Sequence, residues 1–135
     1  MIRRIDTLNA DSRAQWGKMN VFQMTRHCTR WDEMIISGAA YKQAFIGRLF
    51  GRMALKSLTK DEKPLRRNTP TLRELKITSS GDVPAEKAKW IALMEQYAHY
   101  SHNDFMHPFF GKMTKEETGI LAYKHTDHHL RQFNS

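Results

Sequence analysis

The chain has 135 residues and a formal net charge of +8, with 40% hydrophobic and 27% charged residues. This length suits one domain able to bury roughly two-thirds of its unfolded surface, so no stapling is needed, and we expect a single helical domain over residues 1–135. Aromatic residues at 10% argue against a disordered chain, and the single cysteine, Cys28, excludes an intrachain disulfide.

The first residues, MIRRIDTLNADSR, are basic but lack an apolar run, so no secretory signal is expected. No apolar stretch reaches the roughly 20 residues of a membrane span. These features lead us to expect a cytoplasmic protein with no membrane partner. The charge is uneven. Residues 42–76 contain ten basic residues and three acids, a net +7, and the remainder is close to neutral. Such asymmetry points to a solvated helix side or to an anionic partner, although no nucleic-acid fold signature accompanies it.

In chain order, a short helix is predicted around residues 2–8, followed by a loop over 9–18 rich in turn formers. Asn20 is a good N-cap, and Val21, Met24, Cys28, Trp31 and Ile35 recur at helical spacing to Gly38, which is placed to end the helix. A second long helix is predicted over about residues 41–58, with Phe45, Leu49 and Met53 as its apolar stripe, widened by Ile46 and Phe50. Arg48, Arg52 and Lys56 lie on a neighbouring face.

Residues 59–84 hold Pro64, Pro70, Gly81 and Pro84 and read as a long crossover connection. A third helix is predicted from Pro84, with Ala88, Ile91, Met94, Glu95 and Ala98 near one face. HPFFGK (residues 107–112) reads as a break whose aromatic pair packs over the end of the helices. TKEE, starting at Thr114, matches a capping box and opens a last helix to about Phe133. The fold class is all-α, and a bundle is the economical architecture.

Of seven histidines, His125 and His129 stand one helical turn apart on the last helix. Two imidazoles so placed converge on one divalent ion at about 2.0–2.1 Å each, and a third ligand from a facing helix leaves a position open for water or substrate. The spacing is equally that of a solvated helix end. His99, His102 and His107 form a competing cluster, and His128 lies off the face of the pair. Cys28 reads as a small packed core residue. Asp127 and Gln132 flank the pair, where groups that orient imidazoles are found. The segment from Trp16 to Asn20 reads as a fixed loop with an aromatic plug.

WGKMNVFQMTRHC (residues 16–28), HPFFGKMTKEETG (residues 107–119) and YKHTDHHLRQF (residues 123–133) together resemble the DinB-like, or YfiT-like, superfamily of metalloenzymes, in one of its uncharacterised branches. The resemblance implies a four-helix bundle, here with a shortened N-terminal helix. It also implies a divalent metal held by His27 on an early helix and by His125 and His129 on the last. Zinc or nickel suit three imidazoles best, with iron or manganese also compatible.

Relatives of that kind include thiol-dependent transferases, so the resemblance implies an enzyme acting on a small-molecule substrate or a low-molecular-weight thiol. The short first helix and the end two residues after Phe133 lead us to expect one open side covered by a partner subunit, hence a homodimer. The alternative is a non-enzymatic helical protein, with a structural metal or a basic face that binds an anionic partner.

Overall fold

The structure is a computed structural model that describes residues 1–39 and 41–135. Among the described residues there are five α-helices: α1 (Ile2–Asp6), α2 (Val21–Ile36), α3 (Phe45–Thr59), α4 (Val83–Gln96) and α5 (Lys115–Gln132). A two-stranded antiparallel hairpin, β1 (Phe105–His107) and β2 (Gly111–Met113), precedes α5, with Phe105 opposite Met113 and His107 opposite Gly111. The expected helical class holds as a mainly helical chain. The hairpin is a departure from the all-α expectation. No described helix is long and apolar enough to cross a membrane.

Local chemistry sets the two helices that matter most. Asn20 accepts the backbone N–H of Gln23 while Gln23 reaches back to the Asn20 N–H, which closes a capping box at the start of α2. Thr114 and Glu117 do the same for α5. At the other end of α2, Gly38 takes φ +61°, a conformation that costs glycine little. α4 starts at Asp82, whose carboxylate accepts the Ala85 N–H, with Pro84 in its first turn.

α2 packs most extensively against α4 and also contacts α5. One apolar cluster is built from Ile5, Leu8, Val21, Met24, Cys28, Trp90, Leu130 and Phe133, so the N-terminal segment closes the core over α2, α4 and α5. The other joins Trp31, Ile35, Leu55, Leu75, Phe105, Met113 and Leu121, and it seats the hairpin between α2, α3 and α5. Inside this layer Asp32, 1% exposed, accepts Trp90 Nε1–H and Tyr97 O–H, both at 2.8 Å. Burial lifts its carboxyl to about 7.

Two expected helix faces are corrected. On α3, the apolar stripe of Phe45, Leu49 and Met53, widened by Ile46 and Phe50, faces solvent at all five positions. The buried side is Gly47, Gly51 and Leu55. Here a small-residue groove lets the Phe109 carbonyl of the hairpin turn sit directly on the helix, where a Cβ at either glycine would overlap it. On α4, Ala88 and Glu95 lie exposed, as does Ala98 in the 3-10 turn beyond its end; Ile91 and Met94 of the expected face are partly buried against the core, and Val83, Trp90 and Leu93 are the buried residues. Trp90 anchors that face through its bond to Asp32. Residues 60–82 run as irregular chain with one 3-10 turn, Arg73–Leu75, which touches α2.

Candidate metal centre

His27 lies in the second turn of α2, and His125 and His129 lie one turn apart near the end of α5. The contact between α2 and α5 brings the three rings together. Each residue offers one ring nitrogen, and these atoms all lie within 4.8 Å of one another. This is the metal-capable group of histidine, cysteine and acidic residues found among the described residues.

Hydrogen bonds decide which nitrogens face inward. His27 Nδ1–H donates to the Leu75 carbonyl at 2.9 Å, which leaves Nε2 as a lone pair. His129 Nδ1–H donates to Gln132 Oε1 at 2.9 Å. Gln132 is itself held because its Nε2–H donates to the Trp16 carbonyl at 2.8 Å. The His125 ring stacks on Trp31, with centroids 4.5 Å apart and planes at 22°. His27 and His129 are therefore held in one tautomer by hydrogen bonds to groups other than a metal, and His125 is held in its ring plane by Trp31.

His27 Nε2 and His125 Nε2 stand 3.0 Å apart. Two imidazole nitrogens on one tetrahedral ion at about 2.0–2.1 Å would be about 3.3 Å apart, so the spacing fits a shared cation with small adjustment. The electrostatics agree. Burial holds the His27 imidazole below its ordinary value, and burial with the neighbouring histidines holds His125 well below. Burial first, then His27, brings His129 down to about 3. The rings are neutral near pH 7, as ligands must be. The donor set thus fits a divalent ion of the borderline kind.

Comparison with known protein families matches the whole chain, residues 1–135, to the family described as protein of unknown function (DUF1569). The chain belongs to this family. Neither curated proteins nor solved structures give a match.

The other sequence-predicted residues of this DUF1569 member fall as follows. His128 packs beside Trp16, with ring centroids 5.8 Å apart, and is half-buried outside the three-ring group. Asp127 pairs with Arg4 and Arg131 rather than with an imidazole. Of the two flanking residues, Gln132 is the one that orients a ring. Cys28 is a packed core residue, and burial pushes its thiol up.

His99, His102 and His107 form no metal-capable group among the described residues. His107 instead organises the hairpin turn, its Nδ1 accepting the N–H groups of Phe109 and Phe110 at 3.0 and 3.1 Å. The Trp16 segment is held in place, its carbonyl accepting the Gln132 amide and its ring lying 4.1 Å beneath the Arg67 guanidinium. Sequence reasoning missed Leu75, whose contribution is a backbone carbonyl and so leaves no signal in residue type. It also missed Trp31 as the stacking partner of His125, a role hidden because the same residue belongs to the core stripe of α2.

Proposed function

We propose that this protein is a divalent-metal-dependent enzyme of the DinB-like kind, with His27, His125 and His129 as its ligands and a small thiol as its co-substrate. The observation that supports the reading most is the convergence of three neutral, separately oriented imidazoles from two helices. Three protein ligands leave a coordination position for a reacting group. A bound divalent ion there would supply Lewis-acid activation of a thiol or of water.

The chain's own residues do the positioning. Leu75 and Gln132 keep the protons of His27 and His129 on Nδ1, so that Nε2 of each stays available. Trp31 holds the plane of His125. The Trp16 carbonyl holds the Gln132 amide and so fixes the group that orients His129.

Metal analysis of untagged protein, followed by cobalt substitution and thiol addition, tests the proposal. The expected result is about one metal per chain and a thiolate-to-cobalt absorption band when thiol is added. Metal binding without that band would remove the thiol chemistry and leave the metal assignment standing. A specific observation favours a second reading, in which the metal is structural. His27 and His129 are almost fully buried, at 3% and 6% exposed, which leaves little access for a substrate.

A further inference from the structure

α3 carries its large apolar side chains outward. Phe45 is 76% exposed, Ile46 55%, Leu49 60%, Phe50 47% and Met53 65%. At about 100° per residue these five cover an arc of about 140° on the side opposite Gly47 and Gly51. Lone exposed apolar residues need no explanation, but five large ones on one turn-by-turn face do. The helix also carries Arg48, Arg52 and Lys56 and has no acidic residue. The two arginines lie within about 60° of the edge of the apolar arc.

Beside that edge is a cavity of about 400 Å³ between α3, the hairpin and the start of α5. Arg48, Arg52 and Lys112 line it, with the amides of Gln43 and Asn103. Glu117, the one acid in its wall, is taken up by Arg52 at 2.8 Å. Lys112 pairs with the exposed Asp104. Arg48 makes no ion pair among the described residues.

We propose that the outward face of α3 docks on an anionic membrane surface, with a lipid phosphate headgroup in the Arg48–Arg52–Lys112 cavity. A helix with a broad apolar face whose charges, two arginines at its margin and Lys56 one turn beyond Arg52, are all basic is the form that lies in a lipid interface. The charges choose among occupants. A second copy of the chain would set one acid-free, arginine-bearing helix against another, whereas anionic headgroups complement it. Hydropathy alone led to the expectation of no membrane partner because it addresses spanning segments, and this face became visible only once the helix was seen to turn it outward.

Co-sedimentation of the full chain with vesicles tests the proposal, using phosphatidylcholine alone and phosphatidylcholine mixed with phosphatidylglycerol. Binding is expected to the mixed vesicles only, and it should weaken as salt is raised. Leu49→Ser with Met53→Ser should abolish it. Arg48→Glu should weaken it by on the order of tenfold, while Arg13→Glu, the same charge change on an exposed residue outside α3, should change it less than about twofold. Circular dichroism of each variant establishes that the fold is kept. Equal losses for Arg13→Glu and Arg48→Glu would reduce the effect to net charge and overturn the proposal. So would inorganic phosphate binding without any vesicle association, which would mark a free-anion cavity. A dimer in sedimentation velocity that Leu49→Ser with Met53→Ser converts to monomer, with no vesicle binding, would show that a second copy covers the face.

Discussion

His27 and His125, ninety-eight positions apart in the chain, face each other across the α2–α5 contact with their Nε2 atoms 3.0 Å apart. One of the two is fixed by a backbone carbonyl and the other by an indole, so the pair is arranged before any ion arrives.

An ion held by both helices binds the folded state alone and stabilises it by about 2.7 kcal/mol at a hundredfold excess over its dissociation constant, or roughly 8 °C in a chain of this size. His27→Ala should lose that zinc-dependent rise in melting temperature, and His128→Ala should keep it. Thermal melts with and without zinc check this. The reverse pattern would move the ligand assignment to His128.

Gln132→Leu should weaken zinc binding roughly 10- to 100-fold, because His129 loses the acceptor that holds its tautomer. Competition with a chromophoric chelator measures it. An unchanged affinity would mean that Gln132 serves only to tie down the Trp16 loop.

Replacing a helical glycine with alanine ordinarily stabilises by up to about 1 kcal/mol. Gly119→Ala should do so, since nothing lies within 4 Å of the added Cβ. Gly51→Ala should have the opposite sign and cost about 1–3 kcal/mol, because its Cβ meets the Phe109 carbonyl. Urea denaturation of the two variants separates the cases, and a stabilising Gly51→Ala would show that the hairpin turn does not rest on α3.

His107 and Asp32 set opposing pH dependences. Burial lowers His107 from 6.5 to about 4, so its contribution is whole above 6.5 and is lost as pH falls towards 4, by roughly 3 kcal/mol in all. Asp32 is raised from 3.8 to about 7, so its contribution is whole below 3.8 and is lost as pH rises through 7. His107→Asn keeps an acceptor for the Phe109 and Phe110 amides but does not titrate. In chelator, the stability difference between wild type and this variant should grow in favour of wild type as pH rises from about 4 to 6.5. A difference independent of pH would mean that His107 is not held neutral by the fold.

α2 and α5 are legible in the sequence because their signals are local. Asn20 with Gln23 and Thr114 with Glu117 mark where each helix starts, and four-residue spacing alone places His125 and His129 on one face. The apolar periodicity of α3 was just as plain, yet it pointed the wrong way. Spacing shows that side chains share a face but not whether that face meets a core, and Gly47 and Gly51 had a stronger claim on the interior once a backbone carbonyl was there to fill it.

What the sequence determined by itself, then, is the set of local preferences: caps, helix periods, the histidine pair and the basic stretch. Only the tertiary structure decided which face of α3 is covered, that His27 meets the pair, and that the Leu75 carbonyl, the Gln132 amide and the Trp31 indole orient the rings. These depend on contacts between segments far apart in the chain. A backbone carbonyl or a packing direction is the same at every residue type, and it acquires meaning only from what folds against it.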